Sequence, residues 1–177
     1  MHDLSLYLLE ILENSVRAGA KQVHISLRLD SQSDELRLVV EDDGPGLAVP
    51  PEVALDPFYT TKPGKKTGLG LSLLRADAQA AGGDLLLGPS RELGGVRVEV
   101  FMSLSHVDRP PLGDLAATLV VAAATNPEVH FTVSLSGDHF DPPASRASPQ
   151  EAAELLSRSL SRSSFVVEQV SKGDGND

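Results

Sequence analysis

The 177-residue chain contains no cysteine and no tryptophan, and aromatic residues make up only 4% of it. Without cysteine there can be no disulfide framework, no thiolate metal site and no cysteine nucleophile. With so few aromatic side chains, the core of this 41% hydrophobic chain must be mainly aliphatic. An apolar run of about 18 residues is also lacking, and the N-terminus begins an amphipathic helix rather than a signal peptide. We therefore expect a small cytoplasmic protein with one ordinary core, or one core plus a small appendage.

Positive charge is scarce as well. The chain carries 15 Lys and Arg against 25 Asp and Glu, which gives a formal net charge of −10 at pH 7. Nonspecific affinity for nucleic acid comes from Lys and Arg side chains that neutralise phosphates, and neither half of the chain forms a basic arm. We therefore expect no nucleic-acid partner, and no membrane partner either.

Hydrophobic periodicity changes character near residue 106. Before that point the pattern mixes helices with antiparallel strand pairs, which indicates a two-layer α/β (α+β) sandwich. The predicted elements are a helix over 3–18, a hairpin of strands over 21–30 and 36–42, a proline-rich irregular stretch over 45–63, a helix over 69–81, and a strand pair over 84–87 and 96–104.

After His106, the prolines of Arg109-Pro110-Pro111-Leu112 indicate a stiff connector. Residues 107–172 then read as a compact αββα appendage of unknown role, which we interpret as a partner-recognition region. The alternative is that these residues complete the core of the first part. The predicted elements are a helix over 112–124, a strand over 129–135 with a hairpin at 136–138, a helix over 149–160, a last strand over 165–167, and a disordered tail over 173–177.

The helix over 112–124 is apolar on nearly all sides between residues 115 and 122. A helix of this kind must be buried. We therefore expect it to pack against the first part of the chain or in a homodimer.

The first candidate site residues are Glu10 and Asn14, which lie four residues apart and so share one face of the first helix. The amide oxygen of Asn14 can be a ligand for Mg²⁺, an ion that prefers oxygen. Glu10 can accept a proton from an attacking water. An isolated Glu-x-x-x-Asn is more commonly just a solvated helix face.

The second candidate is Asp42, which ends a strand and is followed by Asp43-Gly44-Pro45-Gly46. A carboxylate there can accept an exocyclic amine, which distinguishes adenine from guanine. The glycines permit positive φ and a close approach of ligand to backbone. Alone, this string is more commonly a tight turn.

Two further strings extend the pattern. Phe58-Tyr59-Thr60-Thr61-Lys62 offers an aromatic packing anchor, two hydroxyls and a cation that can reach phosphate, although alone it indicates only a surface loop. Thr67-Gly68-Leu69-Gly70-Leu71 opens a helix, where free backbone amides and the positive helix end suit phosphate. The four strings in this order outline a pocket for a nucleoside triphosphate and magnesium.

These strings carry a resemblance to the GHKL ATPase superfamily of gyrase, the heat-shock chaperones, histidine kinases and MutL. Residues 10–20 resemble the N box in its MutL-like form, residues 42–46 the G1 box, residues 56–62 the F box, and residues 67–71 the G2 box of histidine kinases. The similarity covers about residues 1–105. It implies the Bergerat fold, with a mixed, mostly antiparallel sheet, in a histidine kinase-like ATPase domain over 1–106.

The resemblance also implies roles for individual residues. Adenine would lie on Asp42, and phosphates would lie under the loop before Gly68. Lys66 stands where the family usually has the first glycine of the G2 box, and residues 62–67 form a short lid, so phosphate contacts would come more from side chains and lid closure would be modest. The implied catalytic residue is Glu10, the metal ligand is Asn14, and the ATP-binding residues are Asn14, Arg17, Asp42, Gly44, Gly46, Phe58, Thr60, Thr61, Lys62, Lys66, Thr67, Gly68, Leu69, Gly70 and Leu71.

A phosphoacceptor site of the kind histidine kinases use is not expected. None of the five histidines lies on a long helix followed by an acidic residue, so the chain resembles a stand-alone form without a phosphoacceptor domain. Three functions remain open: a kinase that phosphorylates a partner's histidine or serine in trans, a MutL-like ATPase switch, and a module that senses ATP without turnover. The kinase hypothesis is favoured, with the enzyme class open between protein kinase and ATPase.

Overall fold

The computed structural model describes residues 2–58, 69–140 and 144–171, with the backbone alone at residues 69 and 161–171. Within these residues there are five helices and six strands. The helices are α1 (Leu4–Arg17), α2 (Pro51–Ala54), α3 (Leu69–Ala80), α4 (Leu115–Thr125) and α5 (Pro149–Ser171). The strands are β1 (Gln22–Asp30), β2 (Glu35–Asp42), β3 (Asp84–Pro89), β4 (Val96–Ser103), β5 (His130–Ser136) and β6 (Ala144–Ala147).

All six strands form one sheet in the order β3-β4-β2-β1-β5-β6. Every neighbouring pair is antiparallel except β1 with β5, which is parallel. The alternating apolar residues of β1 are buried, as the sequence pattern predicts for a strand with one covered face. Helices α3, α1, α4 and α5 contact one another in that order and form the second layer. The predicted two-layer α/β sandwich with a mixed, mostly antiparallel sheet is therefore confirmed.

The core between the two layers is aliphatic, as the lack of aromatic residues predicts. The largest fully buried side chains are all leucines, apart from Ile25. They come from α1, from the inner face of the sheet and from α3, α4 and α5. Burial of this kind stabilises a fold by roughly 1.5–3 kcal/mol for each large aliphatic side chain.

Residues beyond 106 join this core. Strand β5 lies beside β1, with Phe131 opposite Val23, and Leu119, Val133 and Leu156 belong to the same buried cluster as α1. The expected order of helix, two strands and helix is present. The packing favours the alternative in which these residues complete the core of the first part. The division of the chain at residue 106 stays a prediction, which truncation can test.

The connector between the two parts fixes the start of α1. The amide of Leu4 donates to the carbonyl oxygen of Pro111 at 2.8 Å, and the amide of Ser5 donates to that of Leu112 at 3.1 Å. The first amides of a helix have no partners within the helix itself. The connector therefore supplies acceptors that α1 needs.

Three expectations about individual elements need correction. The strand expected over 165–167 is wrong, because α5 begins at the predicted Ser148/Glu151 capping box and, after its first residue Pro149, continues to Ser171 without a further proline or a glycine. The short helix α2 lies in the stretch that was expected to be irregular. Helix α4 is buried on one face only, since Val121 is 50% exposed while Leu119 packs in the core.

Two other expectations concern the C-terminal tail and membrane-spanning helices. The predicted tail over 173–177 lies outside the described residues. Among the helices that the structure describes, none is long and apolar enough to cross a membrane.

Candidate functional site

Asp42 is a buried carboxylate at the end of β2. The alternation that turns Leu38 and Val40 into the core turns Asp42 the same way, and it is 4% exposed. Its Oδ2 accepts a hydrogen bond from the Ser15 hydroxyl at 2.7 Å, and its Oδ1 accepts from the amides of Gly44 and Val96, each at 3.0 Å. A carboxylate offers about four acceptor positions. Counting donors from the described residues, one position, on Oδ2, therefore remains for a further donor.

Glycines shape the space around Asp42. A Cβ on Gly95 would overlap the Asp42 side chain and backbone, and a Cβ on Gly44 would lie 3.3 Å from Asp42 Oδ1. Gly46 has φ of +85°, as predicted, whereas Gly44 does not use positive φ. Positive φ, which both glycines of this turn permit, is therefore used by Gly46, whereas the lack of a side chain at Gly44 leaves room beside Asp42.

Asp43 has a structural role. Its Oδ1 accepts hydrogen bonds from the amides of Lys21 and Gln22 at 2.7 and 2.9 Å, at the start of β1. The pKa of the Asp43 carboxyl is lowered, and the hydrogen bond from the Gln22 amide is the largest cause. This residue therefore fixes the turn that presents Asp42.

Asn14 and Arg17 lie on the last turns of α1. The Arg17 Nη1 donates to Asn14 Oδ1 at 3.4 Å, a long and exposed hydrogen bond. Such a contact is weak and leaves the amide oxygen available to a ligand. Asn14 lies next to Ser15, and Ser15 in turn contacts Asp42. The predicted metal ligand is therefore one residue from the wall of the Asp42 pocket.

Glu10 lies one turn before Asn14, and its side chain is 31% exposed. It faces the first turn of α3, where a Cβ on Gly70 would overlap Glu10 Oε2. On its other side, Glu10 Oε1 lies 3.9 Å from His2 Nε2. Along α1 the order is therefore the Asp42 pocket at Ser15, Asn14 in the adjacent position, and Glu10 one turn of helix, or about 5–6 Å, further away.

The remaining predicted residues divide into two groups. Helix α3 begins at Leu69, so Leu69, Gly70 and Leu71 form its first turn, as predicted. Phe58 is 81% exposed, and the expectation that it is a packing anchor is wrong because the Asp56-Pro57 turn directs it away from the core. Thr60, Thr61, Lys62, Lys66, Thr67 and Gly68, and with them the short lid, lie outside the described residues.

Sequence reasoning missed three groups that contact Asp42. They are the Ser15 hydroxyl, the Val96 amide and the bare backbone at Gly95. Ser15 could have been found, because it follows Asn14 and is a polar residue on the apolar face of an amphipathic helix. The other two have no local signal, since strand pairing alone brings β4 to the end of β2.

Within the described residues, no group of three or more His, Cys, Asp or Glu side chains could hold a metal ion. The predicted magnesium ligand Asn14 therefore has no carboxylate cluster around it there.

Comparison with known families places residues 2–106 in one of them. These residues match the profile of the family described as histidine kinase-, DNA gyrase B-, and HSP90-like ATPase. The chain is similar to the sensor protein PhoQ of Escherichia coli (strain K12), with 38% identity over 101 residues that cover 54% of this chain and 20% of that protein. It is also similar to the sensor protein kinase PmrB of Pseudomonas aeruginosa, with 29% identity over 107 residues, 57% of this chain and 22% of that protein. The chain thus spans about a fifth of the length of these relatives.

Two solved structures are also similar. One is the catalytic domain of the histidine kinase ThkA, with 27% identity over 55% of this chain and 65% of that chain and a TM-score of 0.42. The other is the Aquifex aeolicus MutL ATPase domain complexed with ADP, with 17% identity over 89% of this chain and 70% of that chain and a TM-score of 0.44.

Proposed function

This chain belongs to the histidine kinase-, DNA gyrase B- and HSP90-like ATPase family and carries its ATP-binding domain, and on that premise we propose that it transfers the γ-phosphate of Mg-ATP to a partner protein in trans. The observation that carries the proposal is Asp42, a buried carboxylate that accepts three hydrogen bonds from the described residues and has one acceptor position left among them. Adenine carries an exocyclic amine, which can donate a hydrogen bond to this remaining position on Asp42.

The Asp42 pocket should distinguish ATP from GTP. Guanine presents a carbonyl oxygen where adenine presents its amine, and two acceptors cannot hydrogen-bond to each other. Leaving a buried polar group unpaired costs about 1–3 kcal/mol. We therefore expect ATP to bind more tightly than GTP by roughly 5-fold to 150-fold.

Asn14 fits a magnesium ion that arrives with the nucleotide. Its amide oxygen is neutral and, within the part of the chain that the structure describes, accepts only the 3.4 Å hydrogen bond from Arg17. Magnesium keeps several waters and commonly takes one or two protein oxygens together with phosphate oxygens. When bound, the ion would neutralise charge on the phosphates. Arg17, on the next turn of α1, would contribute a second positive charge.

Glu10 is the proposed catalytic base. In transfer, the bond between the γ-phosphorus and the bridging oxygen of ATP breaks, a partner nucleophile bonds to the γ-phosphorus, ADP leaves, and the nucleophile's proton passes to Glu10. Proton removal by a positioned side chain typically contributes 10²–10⁴-fold to a rate. The phosphates would be contacted by the predicted binding residues in and beside the lid over 62–67, namely Thr60, Thr61, Lys62, Lys66, Thr67 and Gly68.

The second candidate function is a MutL-like ATPase switch, and the position of Glu10 also supports it. Glu10 lies against Gly70, at the start of the helix that follows the lid. In this alternative a water replaces the partner nucleophile, and turnover would change the contact between α1 and α3. A module that senses ATP without turnover is the remaining alternative.

The partner is proposed to be a protein. Candidates for the contact include the exposed part of α4, where Val120 and Val121 face outward from an uncharged helix. A homodimer through this face is a further possibility of the same proposal.

Radiolabelled γ-phosphate ATP distinguishes these functions. The protein is incubated with the label and with co-purified partners, with and without magnesium. A labelled partner band supports the kinase; loss in acid indicates a phosphohistidine, and loss in alkali indicates a phosphoserine. Release of inorganic phosphate without a labelled band supports the switch, and ATP binding with neither supports the sensing module.

An Asn14→Ala variant should weaken the magnesium-dependent binding of ATP. The variant Glu128→Ala, which changes an exposed residue, serves as its control.

A further inference from the structure

His2 lies just before α1, beside Glu10 of the candidate site. Its Nε2 is 3.9 Å from Glu10 Oε1, and its ring stacks on Tyr7 with 5.3 Å between centroids and 26° between planes. We propose that His2 is a positioning residue that holds the Glu10 carboxylate in place for proton transfer. The inference rests on the proposed role of Glu10 as the catalytic base.

The two oxygens of Glu10 have different neighbours. Oε1 faces the His2 imidazole, and Oε2 faces the backbone of Gly70, where a Cβ would overlap it. No hydrogen bond from another described side chain fixes this carboxylate more closely than the His2 contact does. A proton acceptor must lie within hydrogen-bond reach of the proton that it removes. The His2 contact therefore restricts the directions that Glu10 can take.

Tyr7 gives His2 a rigid support. Tyr7 is buried, and its hydroxyl donates to Asp77 Oδ2 at 2.5 Å. Burial, and then the hydrogen bond to Asp77, raise the pKa of the Tyr7 phenol above its ordinary value, so the hydroxyl keeps its proton and continues to donate. Asp77 lies on α3, the helix that begins beside Glu10. The stack therefore connects His2 to both helices that border Glu10.

The ionisable groups around His2 are acidic. The groups that face it are Glu10 and Tyr7 of α1 and the helix-capping Asp3, and the Tyr7 hydroxyl in turn donates to Asp77. The hydrogen bond from the Ser5 hydroxyl is the largest of the contributions that lower the pKa of Asp3, and the charge of His2 is the smallest. A protonated imidazole attracts Glu10, whereas a neutral one does not.

The first test is the rate of ATP turnover in the full chain. His2→Phe keeps a ring over Tyr7 but cannot carry a charge, and we expect a two- to fivefold lower kcat with unchanged KM, as for a partly exposed ion pair. His2→Lys should restore the rate, because it places a cation beside Glu10. His130→Phe, an exposed histidine at the start of β5, should match the wild type.

The second test needs no turnover. The His2 ring signals in NMR spectra should move on Glu10→Gln and stay in place on Glu13→Gln, which neutralises an exposed acid of the same helix. If the His2 ring signals do not move on Glu10→Gln, the proposed contact between His2 and Glu10 is overturned. If Glu10→Gln removes turnover but His2→Phe has the wild-type kcat, the positioning role is overturned by itself. If Glu10→Gln keeps full turnover, the proposed role of Glu10 fails, and the NMR result alone decides whether His2 pairs with it.

Discussion

The two ends of the site along α1 are held by different kinds of groups. At the Asp42 end, a 4% exposed carboxylate is fixed by two backbone amides and a buried hydroxyl. At the Glu10 end, a 31% exposed carboxylate has the His2 Nε2 at 3.9 Å and a glycine beside it. Backbone amides cannot rotate away, whereas side chains at an exposed contact have more freedom to move. The comparison teaches that the proposed adenine end is more firmly preorganised than the proposed catalytic end.

Truncation after His106 should have the largest effect, because it removes support from both ends. The fragment loses the carbonyls of Pro111 and Leu112 that receive the first amides of α1, and it loses β5 from the side of β1. We expect a fragment that aggregates or does not bind ATP, as measured by circular dichroism and ATP titration. A folded fragment with full ATP affinity would instead establish residues 107–172 as a separate appendage.

Glu10→Gln should change the reactive end alone. The variant keeps the shape of the side chain but cannot accept a proton, so turnover should fall by about 10²–10⁴-fold while ATP affinity stays the same. Single-turnover kinetics and calorimetry with ATP measure the two quantities separately. Glu13→Gln, on the same helix and exposed, is the matched control. Equal losses in rate and affinity would show that the two ends are not independent.

Asp42→Ala should change the recognition end alone. Removing the carboxylate leaves the adenine amine and two amides without their acceptor, which should weaken ATP binding by about 1–3 kcal/mol. The preference for ATP over GTP should disappear with it. Calorimetry with both nucleotides measures the change, and the exposed Asp108→Ala should bind like the wild type. Unchanged affinity in a folded Asp42→Ala protein would contradict the proposed adenine site.

Ser15→Ala should have the smallest effect. It removes one of the three hydrogen bonds that fix Asp42 and leaves both amide donors in place. We expect the free energy of unfolding to fall by about 0.5–1.5 kcal/mol and ATP affinity to fall less than in Asp42→Ala. Urea denaturation measures the first quantity. A loss of affinity as large as that of Asp42→Ala would mean that the hydroxyl, rather than the amides, orients the carboxylate.

The parts of the fold that were predictable from the sequence depend on short-range patterns. Helix α1 follows from apolar residues at helical spacing, β1 from strict alternation, and the start of α5 from its Ser148/Glu151 capping box. Each of these signals is contained within one element or one turn. Asp42 became a candidate for another reason, because its own string alone is more commonly a tight turn and only the order of the four strings along the chain pointed to a nucleotide site.

The parts that were missed depend on contacts between distant segments. Nothing in residues 129–135 indicates that β5 will lie parallel to β1, and the Gly95 and Val96 contacts to Asp42 depend on the register of β4 with β2. The run Phe165-Val166-Val167 has strand propensity, yet α5 continues through it, because helix propagation from a capped start can override a short local preference.

The parallel pairing of β1 with β5 has a consequence for protein synthesis. His24 and its hydrogen-bond partner Thr132 are 108 residues apart in the chain. At about 5–20 residues per second, the ribosome needs roughly 5 to 20 seconds to produce β5 after β1 has been made. During that interval β1 is an open edge strand, which is a template for pairing with other chains. The nascent protein is therefore most vulnerable to aggregation before residue 136 emerges, and a chaperone that covers an apolar strand edge would raise its folded yield more than one that acts on the finished chain.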